Sequence, residues 1–333
     1  MKHVLSGSSA GHCLIIDAQD RVWSWGNNAK GQLGLGHQVN LSQPTLVEGA
    51  LSGKAVAGGA TGRFHSVVFL SDGTSYSFGT NMYGQLGLGS VKHSITSKKA
   101  KTQEEIHSSP VKNQVVSCTA ISCGIDFTLW LTSGGVLSAG SPQYGQLGHG
   151  TDHQYNSSDS SLKMYHQPQP VSKLIAAFAS KTILKIASGN NHSIALDSEG
   201  HLHSWGFGGY GRLGHKVQRD EFRPKQIEMF ENRMILPTNA KIACGNMTSF
   251  ATITGGQLYV WGKLKATGDS IMYPKPLLEI SGWEIRSIAC GNGTYAVASE
   301  NSGITWGTGA YQELGYGPKG KKVSAQRNFL VKH

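Results

Sequence analysis

The stretch VWSWGNNAKGQLGLG (residues 22–36) joins an aromatic strand pattern to a glycine-rich turn. The aromatic strand recurs along the chain and closes each time on a glycine, at Gly26, Gly79, Gly140, Gly206, Gly262 and Gly307. Most copies continue into a second element: TNMYGQLGLG, SPQYGQLGHG, FGGYGRLGHK and TGAYQELGYG, with KLKATGDSIM in the fifth copy. Six copies at steps of 45 to 66 residues indicate a repeat protein.

A third element precedes each aromatic strand at a nearly fixed distance. It is a glycine, then most often His or Thr, then an alternating apolar strand, as in AGHCLIID, GRFHSVVFL and SGNNHSIALD. The distance to the closing glycine is 13 or 14 residues from His12, His65, Phe127, His192, Thr248 and Thr294. Polar turns such as SDG and SEG separate the two strands, so each copy predicts a β-hairpin. Weaker outer strands follow, such as PTLVE, PKQIE and KPLLE, whose proline suits a sheet edge.

A four-stranded antiparallel sheet with apolar residues on both faces is not stable alone. Blades packed face to face around a central axis bury both faces and hide most sheet edges. We therefore predict an all-β fold, a β-propeller forming a single domain over residues 1–333. Six repeat cores are visible, at about 3–58, 59–117, 118–184, 185–240, 241–287 and 288–333.

Composition agrees with this prediction and limits the class of protein. The 333 residues include 44 glycines, and only 15% of residues are charged. The net charge of +10 permits contact with nucleic acid, an acidic protein or an anionic surface, without choosing among them. Five cysteines, an odd number, favour reduced thiols in an intracellular protein. No apolar stretch approaches about 18 residues and no signal peptide is evident, so we expect a soluble, non-secreted protein without a membrane partner.

One segment imitates a dinucleotide-binding turn. Gly206, Gly208 and Gly211 match G-x-G-x-x-G, a fingerprint that needs a helix after it and a parallel βαβ unit around it. The residues that follow, RLGHKVQRDEFRP, contain glycine and proline and show no helical period. Gly206 and Gly211 belong to the repeat, whereas Gly208 and Gly209 occur in this copy alone. The segment predicts a tight turn between strands, and no cofactor is expected.

Other chemistry-bearing residues occupy repeated positions. A catalytic or metal site needs side chains that converge. His12, His65 and His192 instead occupy the same position in three different repeats, and we expect each to hydrogen-bond to a neighbouring turn. Cysteines at the repeat's C-G position are expected to be small buried fillers: Cys123, Cys244 and Cys290. Core packing is the expected role of Trp23, Trp25, Trp205, Trp261 and Trp306. No Ser-His-Asp grouping supports a hydrolase, so no catalytic or metal site is predicted.

The repeats resemble those of the regulator of chromosome condensation family, in which CG-x-x-H-T/S and W-G-x-N-x-x-G-Q-L-G elements alternate. The resemblance runs from about residue 3 to about residue 317. Longer phrases are similar to the telophase-disk branch of that family: HSWGFGGYGRLGH (203–215), MYPK (272–275), GWEIRSIACG (282–291) and ELGYG (313–317). The family's propellers have seven blades, whereas six repeat cores are visible here. The chain is therefore expected to be a six-bladed variant, an incomplete gene model or a fragment with an incomplete ring. In a six-bladed ring, a strand from Met1–Ile16 would complete the last blade.

The resemblance implies a non-enzymatic scaffold that acts on a small Ras-superfamily GTPase. The founding member is an exchange factor for Ran that also docks on chromatin, and telophase-disk relatives are linked to Ral and Rac, centromeres and mitotic microtubules. A partner loop that displaces switch residues and Mg²⁺ contacts lowers nucleotide affinity without covalent catalysis. By the same resemblance we expect a monomer in nucleus and cytoplasm, associated with chromosomes or the spindle in mitosis. The alternative is a chromatin- or nucleic-acid-binding adaptor without exchange activity.

Partner contacts are expected in loops at one rim, because loops on a rigid scaffold most often carry function. Polar or aromatic residues beside the repeated turns are the first set: Asp126, Phe207, Arg212, His215, Asp220 and Glu221. The second set lies in the basic insertion 90–114: Lys98, Lys99 and Lys101. If the alternative holds, neutralising these three lysines would strongly weaken binding to DNA or nucleosomes.

Overall fold

The computed structural model describes residues 1–91, 104–156, 164–231, 234–264, 268–308 and 313–315. It confirms the predicted all-β fold: in the described residues, six sheets are the blades of a β-propeller, and a seventh sheet is a two-stranded hairpin. The chain divides into two compact units, Met1–Lys181 with blades 1 to 3 and Thr182–His333 with blades 4 to 6. Within the described residues, no helix is long and apolar enough to cross a membrane.

The first unit contains three four-stranded antiparallel sheets. Blade 1 consists of His3–Leu5, His12–Ile16, Val22–Gly26 and Leu41–Leu46. Blade 2 consists of Val56–Thr61, His65–Leu70, Ser75–Thr80 and Ile106–Lys112. Blade 3 consists of Cys118–Cys123, Phe127–Thr132, Gly135–Gly140 and Gln169–Leu174, with an added hairpin of Gln154–Asn156 and Met164–His166. His3–Leu5 pairs with His12–Ile16 in blade 1 itself, so both strands of the Met1–Ile16 segment are used there.

The second unit repeats the same order. Blade 4 consists of Ile183–Ser188, His192–Asp197, Leu202–Gly206 and Glu221–Gln226. Blade 5 consists of Ile242–Cys244, Thr248–Thr252, Leu258–Gly262 and Ile271–Pro276. Blade 6 contributes Ser287–Cys290, Thr294–Ala298 and Gly303–Gly307 from the described residues. The predicted hairpin is the central strand pair of each blade, because its two strands carry the strongest apolar alternation.

The outer strands were predicted several residues too late. The structure places them at Leu41–Leu46, Glu221–Gln226 and Ile271–Pro276. The apolar ends of PTLVE, PKQIE and KPLLE leave the sheet, and each runs into a short 3-10 turn. These turns are Gly49–Leu51, Glu228–Phe230 and Leu278–Ile280, with a fourth at Ala176–Phe178 and a fifth, Gly209–Gly211, in a loop. The turns place apolar side chains in the core instead of extending the edge strand. Leu51, Phe230 and Ile280 are the buried residues of these three turns.

The core lies between successive blades of a unit, as the two-sided apolar pattern predicts. Leu14 and Ile16 of blade 1 pack with Val68 and Phe78 of blade 2. In the second unit, Ile194 and Leu202 of blade 4 form a cluster with Trp261 of blade 5. Trp205, Trp261 and Trp306 are buried core residues, as predicted. Trp23 and Trp25 are wrong as core residues, because both are only partly buried. The Trp23 indole N–H donates to Asp17 Oδ2 at 2.9 Å.

A three-membered hydrogen-bond relay ties each histidine of the repeat to the next blade. His12 Nε2 lies 2.7 Å from Ser66 Oγ of blade 2, and that hydroxyl donates back to the Gln32 carbonyl of blade 1 at 2.8 Å. Two further relays repeat this geometry: His65–Thr128–Gln85 and His192–Ser249–Arg212. Because each hydroxyl donates to a carbonyl, it accepts the Nε2–H of the imidazole, which leaves Nδ1 unprotonated. The predicted structural role of these histidines is confirmed, with the next blade's strand as the partner.

Burial explains the ionisation of the relay histidines and of the cysteines. It lowers the pKa of His12 to about 4 and that of His65 to about 3. The Nδ1 atoms of both are buried without a hydrogen-bond partner, so a second proton would have no acceptor. The cysteines are free, and burial raises the pKa of Cys123 and Cys244 to about 12. Cys123 and Cys244 are buried fillers, as predicted, whereas Cys290 is only partly buried. Burial disfavours the reactive thiolate form of Cys123 and Cys244.

Candidate interaction surface

The first-to-second strand loop and the loop after the third strand lie at the same end of each blade. A backbone hydrogen bond joins them, from Ser141 N–H to Asp126 O at 2.9 Å in blade 3 and from Phe207 N–H to Asn191 O at 2.8 Å in blade 4. We refer to this end as the loop end of a blade and to the opposite end, which carries the central hairpin turn, as the hairpin end. All predicted contact residues that the structure describes lie at loop ends, either in blade 3 or in blade 4.

The blade 4 loop, residues 207–221, brings five of the predicted residues together. Gly208 N–H donates to Asp220 Oδ1 at 2.8 Å, which closes the loop on itself. A Cβ at Gly208 would lie 1.9 Å from the Arg219 carbonyl oxygen, so the close approach of the two backbones requires glycine. Residues 212–231, which the structure describes without a gap, contain no helix of eight or more residues, and Gly206 and Gly211 have φ of +99° and +73°. The predicted tight turn is present, and the dinucleotide fingerprint has no structural counterpart.

Arg212 is the internal support of this loop. Its guanidinium stacks on the Phe207 ring, 4.6 Å from the centroid, and Nε donates to Gly209 O at 2.8 Å. Nη1 donates at 3.0 Å to the carbonyl of Asn246 in blade 5. Arg212 is only 2% exposed, so we assign it to positioning the loop instead of touching a partner.

His215 and the two acidic residues are also held by internal contacts. Ser204 Oγ lies 2.9 Å from His215 Nε2, and burial lowers the pKa of His215 to about 4. Burial raises the pKa of Asp220, while the Gly208 N–H opposes that rise. Glu221 Oε1 accepts from Lys225 at 3.2 Å and from Arg219 at 3.4 Å. These contacts shape the loop and balance its charge.

Exposed residues that the repeat comparison missed form the outer surface of this loop. Tyr210 is 41% exposed, has φ of +61°, and stands 4.9 Å from Lys263 Nζ, measured to the ring centroid. Arg219 keeps 74% of its side chain exposed. Lys216 N–H donates to Met272 O in the outer strand of blade 5, which presents Tyr273 with Lys275 over its ring at 5.2 Å. The result is an aromatic and basic surface on a rigid frame. Tyr210 occupies the same repeat position as Tyr83 and Tyr144, so the sequence did not distinguish it from a structural residue of the repeat.

Asp126 lies at the loop end of blade 3, in a second polar group. Burial raises the pKa of Asp126 to about 6, and the Arg63 guanidinium partly opposes that rise. Glu104 belongs to the same group: it accepts from Thr80 Oγ1 at 2.6 Å and forms an ion pair with Lys30. Asp126 is thus held among neighbouring charges. Lys98, Lys99 and Lys101 lie outside the described residues.

Comparisons with known proteins agree with this architecture. The family model of the regulator of chromosome condensation (RCC1) repeat matches residues 19–69, 72–131, 133–196 and 199–252. The chain therefore belongs to the RCC1-repeat family. It is 37% identical over 340 residues to a Protein RCC2 homolog of Xenopus laevis and 36% identical to Protein RCC2 of Homo sapiens. These alignments take in 97% of this chain and 63% and 62% of the relatives, so the chain spans less than two thirds of their length.

A solved structure extends the fold comparison. Prp20p of Saccharomyces cerevisiae, a protein studied for its binding properties to Gsp1p and histones, superposes with a TM-score of 0.67 at 23% sequence identity. The superposition covers 95% of this chain and 73% of Prp20p. This superposition confirms the predicted propeller fold, and the family model and the RCC2 relatives confirm the predicted repeat family and branch.

Proposed function

We propose that this protein is an interaction scaffold that regulates a small Ras-superfamily GTPase of the Ran, Ral or Rac type, in a chromosome-related role. The observation that carries the proposal is the blade 4 loop, which presents Tyr210 and Arg219 from a frame fixed by Arg212. The loop lies on a propeller of the RCC1-repeat family, and Prp20p supports a Gsp1p-like partner. Exchange at such a surface needs no covalent catalysis, because a loop that binds the nucleotide-free GTPase best lowers nucleotide affinity.

The polar group around Asp126, in the first compact unit, is a separate candidate surface of different chemistry. At neutral pH the Asp126 carboxyl is mainly ionised even with its pKa near 6, since pH 7 lies above that value. A carboxylate at a loop end suits a basic element of the GTPase, whereas Tyr210 and Arg219 suit an acidic or apolar one. The two kinds of contact would select partners by charge pattern more than by buried area.

Release of a fluorescent guanine nucleotide from purified Ran, Ral and Rac tests this proposal. The protein should accelerate release from one of the three, and the double variant Tyr210→Ser, Arg219→Ala should lose most of that acceleration. Arg286→Ala is the matched control, because Arg286 is an exposed arginine of the same unit and forms an exposed ion pair with Glu300. No acceleration with any of the three GTPases would contradict the exchange activity.

The second candidate is a chromatin or nucleic-acid adaptor without exchange activity, in the same nuclear and mitotic setting. The net charge of +10 and the exposed basic residues of the blade 4 surface favour it, as does the histone binding studied for Prp20p. Affinity for nucleosomes or DNA should then fall steeply with salt, because bound lysines and arginines release counterions. Neutralising Lys98, Lys99 and Lys101 should flatten that salt dependence. An affinity for nucleosomes and DNA that does not change with salt concentration would exclude this candidate function.

A further inference from the structure

The hairpin end of blade 4 carries four potential metal ligands in one turn. Asp197 ends the second strand, Glu199 lies in the turn, and His201 and His203 follow on the return. Asp197 N–H donates to His201 O, and His203 pairs with Ala195, two residues before Asp197. Because side chains alternate along a strand, Asp197, His201 and His203 project from the same face of the sheet.

The turn fixes one oxygen of Asp197 and directs the other at the histidines. Asp197 Oδ1 accepts the N–H groups of Glu199 at 3.0 Å and of His201 at 2.9 Å. Oδ2 lies 2.9 Å from His203 Nε2 and 3.5 Å from His201 Nδ1. Glu199 Oε2 lies 3.3 Å from the same His201 Nδ1. His201 Nδ1 is buried and makes no hydrogen bond, although it faces two carboxylates.

The separations among the ligand atoms of Asp197, Glu199 and His201 are compatible with those around a tetrahedral ion. Nitrogen and oxygen ligands bind Zn²⁺ at about 2.0–2.2 Å, which places neighbouring ligand atoms about 3.4 Å apart. The ligand atoms of Asp197, Glu199 and His201 all lie within 4.8 Å of one another, and His203 Nε2 is within hydrogen-bond distance of Asp197. Two carboxylates and one imidazole are donors that zinc accepts, and they leave the fourth position of a tetrahedral ion to water.

Sister hairpins show that the repeat itself does not require these residues. In blade 1 the same Asp position is satisfied by donors that cannot bind a metal: Asp17 Oδ2 accepts from Arg21 Nε at 2.8 Å and from Trp23 Nε1 at 2.9 Å. The aligned positions are Leu70, Asp72, Thr74 and Tyr76 in blade 2, and Ile253, Gly255, Gln257 and Tyr259 in blade 5. Blade 4 alone among these hairpins combines two carboxylates with two imidazoles.

We propose that the blade 4 hairpin binds one Zn²⁺ ion through Asp197, Glu199 and His201, with His203 as a positioning residue that holds the Asp197 carboxylate. The ion closes the hairpin end, and the interaction surface at the loop end is left free. This site is independent of the proposed GTPase regulation, since it rests on different residues at the opposite end of the blade.

Titration of the metal-free protein with Zn²⁺ by calorimetry tests the site. The wild type should bind one tight Zn²⁺, and His201→Gln and Glu199→Gln should each weaken that binding by at least about tenfold. Glu199 has 68% of its side chain exposed, so Glu199→Gln should fold normally. Asp152→Asn is the matched control, because Asp152 faces His166 at 3.8 Å in a separate acid–histidine group.

Substitution with Co²⁺ supplies a readout that a merely structural role would not move. The wild type and Asp152→Asn should give the visible absorption of a tetrahedral Co²⁺ site, and His201→Gln should not. A wild type that binds no Zn²⁺ at micromolar concentration overturns the proposal. Equal binding by wild type, His201→Gln and Glu199→Gln also overturns it, as does loss of the ion in Asp152→Asn alone.

Discussion

The loops after the third strand of blades 3 and 4 share a serine–histidine contact and differ in the residue that accepts the hydrogen bond of the tyrosine N–H. In both, a serine of the third strand holds a histidine: Ser138 Oγ lies 2.8 Å from His149 Nε2, and Ser204 Oγ lies 2.9 Å from His215 Nε2. In blade 3, Gln146 Oε1 accepts the Tyr144 N–H at 2.7 Å. In blade 4 the equivalent Tyr210 N–H is bound at 3.0 Å by Gln218.

In blade 4, Gln218 accepts the tyrosine N–H, so the position that Gln146 occupies in blade 3 can be an arginine, Arg212. The Arg212 guanidinium then donates to the carbonyl of Asn246 in blade 5, whereas Gln146 Oε1 accepts from its own loop. The same repeat position thus carries a bond within the loop in blade 3 and a bond to the next blade in blade 4. The difference shows how a repeat protein acquires an individual surface while keeping its frame.

Acidification should have the largest effect, and it should act on the frame that both loops share. Burial lowers the pKa of His149 and of His215 to about 4, below the ordinary value of 6.5. The unfolded chain therefore binds more protons below pH 6.5, so the free energy of unfolding falls as pH drops from about 6.5 towards 4. We expect a loss of about 1–2 kcal/mol per buried histidine between pH 7 and 5.

Chemical denaturation at several pH values measures this loss. The relay histidines His12 and His65 add to the same trend, because burial lowers their pKa as well. His149→Gln and His215→Gln should each reduce the slope of stability against pH. An unfolding free energy that stays constant from pH 7 to pH 5 would contradict the buried, neutral state of these side chains.

Replacing Arg212 by glutamine, the residue at this position in blade 3, should have the next largest effect on the free energy of unfolding. Arg212→Gln removes the bond to Asn246 O and the stacking on Phe207, and we expect a loss of about 2 kcal/mol in unfolding free energy. The reverse change, Gln146→Arg, deprives the Tyr144 N–H of its acceptor and should also destabilise. If the two loops are interchangeable, both variants will be as stable as the wild type in urea denaturation.

Removing the relocated acceptor should have a smaller effect. Gln218→Ala leaves the Tyr210 N–H to water, since this hydrogen bond is exposed, and we expect a loss of about 0.5–1 kcal/mol. Amide hydrogen exchange at Tyr210 should become faster, while exchange at Tyr144 stays unchanged. Unaltered exchange at Tyr210 would show that Gln218 does not hold the loop.

The smallest effect on stability is expected at the exposed ring itself. Tyr210→Ser should change the unfolding free energy by no more than about 0.5 kcal/mol, because surface substitutions seldom exceed that value. The same variant should nevertheless weaken partner binding, which a pull-down with the GTPase that responds in the exchange assay would measure. Tyr144→Ser in blade 3 is the matched control and should leave that binding unchanged.

The repeat pattern predicted the blades because each strand pair carries its own apolar alternation and closing glycine. The inter-blade relays were only half predictable: the histidine recurs visibly, whereas its hydroxyl partner lies 54 to 63 residues away. Arg212 looked like a surface cation, since a sequence does not show that Phe207 and Asn246 will enclose it. The ligand group at Asp197 escaped notice because its histidines stand outside the recurring histidine position. The sequence therefore predicts contacts within one repeat, whereas contacts between repeats are visible only in the folded protein.

The relays also bear on how the chain folds as it leaves the ribosome. His12 is buried with its blade, yet its hydroxyl partner, Ser66, is synthesised 54 residues later. Until Ser66 has been synthesised, the His12 imidazole can hydrogen-bond only to water or to groups of its own blade. The relay is complete only when the second strand of the following blade has arrived. A ribosome that stalls between two blades leaves a chain whose last histidine still lacks its partner.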